Sequence, residues 1–242
     1  MRFSIKRQDP IQPEENRMQN DIKKYYTAYD ERYKTAHEKG VTWENMKCTP
    51  IVLKTISRYG LRKDQDLLEI GCGEGRDSRI VLENGYNLTA TDISPEAISY
   101  CKETAPDFEH NYFILDCLSD HLEKTFDFIY AVAVVHMLVL DEDRNAFYRF
   151  ISDHLKKDGI ALICTMGDGK YEMQTDINNA FELQERDHET GKMQVVSTSC
   201  RTVSFVTFEN ELHRNQLEII EKGITDAMPN FNSLMYAVVK KQ

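Results

Sequence analysis

Three glycines at alternate positions, Gly71, Gly73 and Gly75, follow the apolar run Leu67-Leu68-Glu69-Ile70, and Asp92 closes the next apolar run. Glycines at a strand-to-helix turn let the backbone curl tightly and leave no side chain between main chain and ligand, while the following helix offers free N–H groups. Asp92 stands 17 residues beyond Gly75, where a carboxylate at a neighbouring strand end can accept hydrogen bonds from two ribose hydroxyls. The chemistry these residues suit is the binding of a nucleoside-bearing ligand at the carboxyl edge of a parallel sheet.

The spacing narrows the ligand. A dinucleotide fingerprint requires Gly-x-Gly-x-x-Gly, and its third glycine is replaced here by Arg76, so a nicotinamide cofactor is disfavoured. A triphosphate loop requires Gly-Lys-Ser/Thr, and Gly75-Arg76-Asp77 lacks it. Glu69 and Glu74 bracket the turn, and two carboxylates repel a pyrophosphate but suit a ligand with positive charge. S-adenosylmethionine, with its sulfonium and ammonium, is such a ligand.

At these residues the chain resembles the class I S-adenosylmethionine-dependent methyltransferases, in particular their small-molecule branch. Their first motif, Asp/Glu-x-Gly-x-Gly-x-Gly, is matched by Glu69, Gly71, Gly73 and Gly75. The resemblance is strong over about residues 50 to 165 and implies a Rossmann-like, mostly parallel seven-stranded sheet of order 3-2-1-4-5-7-6, with helices on both faces. It implies that Glu69, Gly71, Cys72, Gly73 and Gly75 form the cofactor turn, with Gly71 and Gly73 against the methionine part. Asp92 would hold the ribose, Ile93 would flank the adenine, Asp116 would accept from the adenine amino group, Cys117 would offer its N–H, and Ala133 would complete the set. For Asp116 a solvated strand end or helix cap stays open as the plainer alternative. The product cofactor would be S-adenosylhomocysteine.

Composition bounds the rest. The 242 residues suffice for one α/β domain with decorations. With 30 basic and 40 acidic side chains the net charge is −10, which steers the molecule away from nucleic acid. Six cysteines form no Cys-x-x-Cys pair and several fall in apolar strand patterns, consistent with a reducing cytoplasm and no structural zinc. The N-terminus has no signal-like apolar core, and the apolar run Ile129 to Leu140 is interrupted by His136 and too short to span a bilayer. A cytoplasmic protein without membrane attachment is expected; oligomeric state is not legible.

Alternating apolar and amphipathic stretches from residue 50 onward require repeated β-α units. Strands are expected near 66–71, 87–92, 111–115, 126–133 and 159–165, and helices near 51–59, 75–84, 95–104, 142–156 and 208–221. A terminal strand, Leu234 to Lys241, is expected to pair by hairpin with one near Gly223 to Ala227. Residues 1–48 read as an N-terminal helical cap or lid, with Tyr25, Tyr29 and Tyr33 on one helical face. Residues 49–242 read as the catalytic domain, with a polar insertion at about 167–203. In the resembling family these two regions build the lid and substrate cavity.

After the fourth strand the chain reads Ala131-Val132-Ala133-Val134-Val135-His136-Met137-Leu138. This contains no Asn/Asp-Pro-Pro-Tyr and no Pro-Cys, and paired glutamates are absent, which disfavours DNA bases, pyrimidine carbon-5 and arginine as acceptors. His136 is the one titratable group there. It is the candidate catalytic base, able near pH 7 to take a proton from a hydroxyl, thiol or amine; a buried structural histidine is the alternative. Asp168, Glu172 and Asp176 stand at spacing four but read as a solvated face, and no metal is expected. The expected activity is methyl transfer to an oxygen, nitrogen or sulfur of a small molecule. The rivals are an RNA or protein acceptor and a non-catalytic S-adenosylmethionine-binding module.

Overall fold

A computed structural model describes residues 5–7, 24–225 and 234–242. Its centre is a seven-stranded sheet: β1 Asp66–Ile70, β2 Asn87–Asp92, β3 Tyr112–Ile114, β4 Phe126–Val132, β5 Leu155–Met166, β6 Leu217–Thr225 and β7 Leu234–Lys241. Read from one edge, the order is 3-2-1-4-5-7-6. The first five strands are parallel, and β7 runs antiparallel to both β5 and β6. The order reverses direction between β1 and its neighbours β2 and β4, so the loops after these strands diverge and leave a crevice at their carboxyl ends.

Among the described residues six α-helices accompany the sheet: α1 Ala28–His37, α2 Pro50–Arg58, α3 Arg76–Glu83, α4 Pro95–Thr104, α5 Asp141–His154 and α6 Phe205–Arg214. Side chains of a strand alternate faces, and consecutive residues divide between two cores accordingly. Leu68, Ile129 and Ile163 pack with Phe147 and Ile151 of α5 and Phe208 of α6. Leu67, Phe128 and Leu162 pack on the opposite face with Val52 of α2, Val81 of α3 and Ile98 of α4. Because both faces are covered, the parallel strands are buried almost throughout, which is why they read as continuous apolar runs.

Local chemistry sets the helix starts. Ser94 accepts from the Ala97 N–H ahead of the first-turn Pro95, and Ser204 accepts from the Thr207 N–H. The helix expected at 208–221 lies instead at Phe205–Arg214, and β6 begins at Leu217, earlier than the expected Gly223. Ser204 supplies the cap, while from Leu217 onward residues alternate between buried or half-buried and exposed, which is strand periodicity. The expected end of that strand, residues 226–227, lies outside the described residues. Asp158 and Gly159 do not separate α5 from β5. The pairing passes from Phe126 with Leu155 to Phe128 with Ile160, and the Asp-Gly pair falls in the intervening bulge.

The insertion is partly strand. Leu183–His188 and Gly191–Val196 form an antiparallel hairpin, and Met173–Gln174 pairs with Arg201–Thr202. Of the expected cap, residues 1–4 and 8–23 lie outside the described residues. Ile5–Arg7 pairs with Asp120–Leu122, and α1 packs on the hairpin and on α4. Among the described residues no helix is long and apolar enough to cross a membrane.

Candidate functional site

The turn after β1 is built by backbone bonds. The N–H groups of Gly71 and Cys72 both donate to the Thr91 carbonyl, at 2.7 and 2.9 Å. Gly71 adopts φ +72°, and a Cβ there would stand 2.4 Å from Val134 Cγ2 in the loop after β4. A side chain at this position would therefore be strained and would strike the opposite wall of the crevice. Gly75 caps α3 with φ +85°; a Cβ on it would meet Cys101 Sγ at 3.0 Å, behind the turn.

Glu69, Gly71, Cys72, Asp92, Ile93, Asp116, Cys117 and Ala133 line one cleft of about 120 Å³. Gly73 and Gly75 do not line it. Gly75 serves packing, and the Gly73 N–H donates to Asp92 Oδ2 at 2.8 Å. Asp92 Oδ1 accepts from the Ser94 N–H, also at 2.8 Å, so one carboxylate ties the β1 and β2 loops together at the cleft. Burial pushes Asp92 up to about 6, against the two N–H donors that pull it down. Ala133 holds φ 59°, unusual for a residue with a Cβ. Its N–H donates to the Cys164 carbonyl at 3.0 Å, which fixes the turn at the cleft wall.

The two acids bracketing the glycine turn have different duties. Glu69 is buried in the cleft wall, accepts from the Tyr130 hydroxyl at 3.1 Å, and is pushed well above the usual carboxylate range by burial and by nearby Asp77. Glu74 points away from the cleft. It accepts from the N–H groups of Trp43 (2.8 Å) and Glu44 (2.7 Å) and contacts His37 Nε2 at 2.9 Å, fastening the N-terminal segment to the turn. The pair of acids expected to face a cationic ligand is thus not Glu69 with Glu74. Glu69, Asp92, Asp116 and Glu44 line the cleft, and Glu44 is ion-paired with Arg76 at 3.1 Å. Asp116 accepts from Lys24 Nζ at 2.7 Å and from the Leu118 N–H at 3.0 Å. It is both a turn cap and a cleft residue.

Over the cleft lie Tyr26, Tyr29 and Tyr33. The stripe is held down by Asp30, which accepts from Ser94 Oγ at 2.7 Å, and by His37, whose ring bridges Glu74 and Glu96. Tyr25 accepts from the Val139 N–H at 3.0 Å and donates to Asp143 at 2.6 Å. With this cover closed the cleft is smaller than the roughly 300–1,000 Å³ of most small-molecule sites.

A second cavity of about 990 Å³ adjoins the first and shares Tyr29, Glu44, Arg76 and Met137 as a common wall. It is enclosed by α1, by Trp43 and by the insertion, whose His188 stacks on Trp43 and contacts the Thr42 carbonyl at 2.8 Å. His136 lines this second cavity and not the first. It sits in a short turn pinned by buried Arg144, whose Nη1 donates to the carbonyls of Val135 (2.7 Å) and Leu138 (3.2 Å). The other edge of Arg144 grips Glu211 with two 2.7 Å bonds. Burial, with a smaller push from Arg144, lowers His136 to about 3. It is therefore a neutral imidazole at pH 7.

Asp168, Glu172 and Asp176 each serve local turns. Asp168 accepts from two N–H groups, Asp176 from the Asn178 N–H, and Glu172 from Ser204 and Thr207 at the start of α6.

Residues 68–161 match the model of a methyltransferase domain. A malonyl-[acyl-carrier protein] O-methyltransferase of Ilyobacter polytropus is 27% identical over 130 residues, which is 52% of this chain and 44% of that protein. The chain thus spans under half the length of this curated relative. A crystal structure of an S-adenosylmethionine-dependent methyltransferase from Clostridium acetobutylicum superposes with TM-score 0.60 at 16% identity, covering 94% of this chain and 95% of that one. The glycopeptide N-methyltransferase MtfA complexed with S-adenosylmethionine gives TM-score 0.58 at 13% identity, over 83% and 97% of the two chains. Over residues 68–161 the chain is thus similar to methyltransferase domains, and its fold is that of S-adenosylmethionine-dependent methyltransferases.

The cofactor of that family suits this cleft on its own terms. The floor at Gly71 is bare main chain, which a Cβ would fill, Glu69, Asp92 and Asp116 offer acceptor oxygens, and the cleft's one arginine is bound to Glu44. A bare-floored cleft lined by carboxyl oxygens suits a ligand that brings hydroxyl and ammonium donors. Local patterns do not signal Glu44 or Met137 as cleft residues, because they come from a segment remote in sequence and from the turn after the apolar β4 run.

Proposed function

We propose that this protein transfers the methyl group of S-adenosylmethionine to an oxygen, nitrogen or sulfur atom of a small molecule held in the larger cavity. The observation that carries the reading is the shared wall: a narrow, bare-floored crevice opens beside a 990 Å³ chamber across Tyr29, Glu44, Arg76 and Met137. The malonyl-[acyl-carrier protein] O-methyltransferase to which the chain is similar supports an oxygen acceptor on a small acyl group.

When bound, S-adenosylmethionine supplies a carbon already activated for displacement, with a leaving group that needs no proton. The chain's work is then alignment and exclusion of water. Asp92 would hold the ribose hydroxyls, Gly71 and Cys72 would lie along the methionine part, Ile93 would flank the adenine, and Asp116 with Cys117 would meet its edge. Residues 24–48 would act as the lid of a catalytic domain that continues to the C-terminus, and the 167–203 insertion would roof the acceptor chamber. Admission of an adenosyl ligand to the narrow cleft would require α1 to lift at its Asp30 and His37 contacts. His136, neutral and buried, would orient the acceptor by hydrogen bonding; a base held near 3 takes a proton poorly at pH 7.

Incubation with S-[methyl-³H]adenosylmethionine and a small-molecule extract tests the reading. Labelled small molecules are expected. Label retained only on the donor, with the donor bound, would replace catalysis by simple binding.

A further inference from the structure

Arg32 projects from α1 into the chamber wall with only 4% of its surface exposed. Its guanidinium lies over the rings of Tyr29 and Trp43, at 4.9 and 4.8 Å from their centroids, and Nη2 donates to the Val196 carbonyl at 2.7 Å. Among the described residues no carboxylate forms an ion pair with it, whereas the other buried arginines do: Arg144 holds Glu211, and Arg76 holds Glu44 and Asp77. A buried cation without a counter-charge is costly, and buried charges are ordinarily paired. Desolvation lowers its affinity for its proton, and Arg186 across the chamber adds repulsion.

Three further polar groups line the same chamber without a protein partner: Ser199 Oγ, Thr202 Oγ1 and Gln184 Nε2. Buried polar atoms are nearly always hydrogen-bonded, so their clustering in one chamber marks a place for a polar ligand. The chamber's acids do not neutralise Arg32, since Glu44 is taken by Arg76 while Asp187 and Glu189 sit exposed on the hairpin. The remaining donors and the uncompensated charge call for an anion that also accepts hydrogen bonds.

We propose that the methyl acceptor is a carboxylate-bearing small molecule whose anionic group is bound by Arg32, with Ser199, Thr202 and Gln184 completing its hydrogen bonds. The inference rests on the methyltransferase reading and names the acceptor class of the same site. Tyr29 and Trp43 fix the plane of the guanidinium, which suits the fork geometry of a carboxylate.

The test uses the full chain saturated with S-adenosylhomocysteine and titrated calorimetrically with malonate, 4-hydroxybenzoate and salicylate, each beside its neutral amide. At least one acid is expected to bind at least tenfold more tightly than its amide. Arg32→Met is expected to abolish that preference while keeping wild-type affinity for S-adenosylhomocysteine and an unchanged or higher melting temperature, because an unpaired buried charge has been removed. Arg32→Lys, which keeps the charge but loses the fork, is expected to retain the preference in weakened form and serves if the Met variant does not fold. Equal binding of acids and amides, no binding of any acid, or an unaltered preference in the variant that folds would overturn the proposal. Failure of the wild-type protein to bind S-adenosylhomocysteine would instead remove the methyltransferase reading beneath it.

Discussion

The proposed donor cleft and the proposed acceptor chamber are made in different ways. The cleft is a product of local sequence. Its floor is main chain, its proposed ribose anchor Asp92 stands at the end of the adjacent strand, and its shape follows from positive φ at Gly71 and from two N–H groups donating to one carbonyl. The chamber is a product of distant contacts: Arg32 and Trp43 precede the sheet, His136 and Met137 follow β4, and Gln184 to Thr202 come from an insertion. A surface made by backbone suits a ligand common to a whole family. One assembled from side chains of three segments can change its acceptor without disturbing the donor.

The difference can be broken at the seam. Arg144 joins the turn carrying His136 to α6 through Glu211. Arg144→Ala leaves a buried carboxylate without its cation, and a loss of about 3–5 kcal/mol in denaturant-determined stability is expected. A loss under about 1 kcal/mol would mean that the chamber wall is held by other contacts. Smaller, and confined to the donor side, is the effect of Gly71→Ala. Backbone strain of about 1–3 kcal/mol and the collision with Val134 are expected to weaken S-adenosylhomocysteine binding by on the order of a hundredfold. Wild-type affinity in that variant would show that the loop after β4 yields freely.

Smallest is the effect of His136→Asn. A neutral side chain replaces a neutral ring, so the turnover rate is expected to fall by less than about tenfold, with no change in the shape of the rate-against-pH curve between pH 6 and 8. Loss of an inflection in that range would restore His136 as the base. Asp92 carries the opposite expectation. Its value of about 6 lies above the ordinary 3.8, so the ligand-free fold loses stability as pH rises from about 3.8 to about 6, and the charged form is the stronger acceptor for the proposed ribose hydroxyls. Donor affinity should be full above pH 6 and decline as pH falls through it, and Asp92→Asn should flatten that dependence in a calorimetric titration series.

The architecture was legible because buried parallel strands announce themselves as apolar runs and the glycine turn as a spacing. The register of the last hairpin was less so. Residues 208–221 carry a plausible helical pattern, yet Ser204 starts the helix early and the alternation from Leu217 onward belongs to a strand edge. Gly73 and Gly75 were readable as motif members but not as residues that shape the cleft without lining it. Glu74 illustrates the same limit, since adjacency in sequence put it at the cleft while the chain turned it toward Trp43 and His37. Tyr29 and Tyr33 were readable as one helical face, but not that Tyr26, in a turn ahead of α1, lines the cleft in place of Tyr25. The unpaired state of Arg32 was not, because a missing counter-charge is a property of three-dimensional neighbours.

Asp92 and the bare turn after β1 are the proposed seat of the adenosyl donor. Calorimetric titration of the wild-type chain and of Asp92→Ala with S-adenosylhomocysteine, alongside NAD, measures this directly. One S-adenosylhomocysteine per chain is predicted, with binding weakened at least tenfold by the substitution, as expected for losing charge-assisted hydrogen bonds of about 1.5–3 kcal/mol. Binding of NAD alone, or equal affinity for S-adenosylhomocysteine in a folded Asp92→Ala protein, would contradict it.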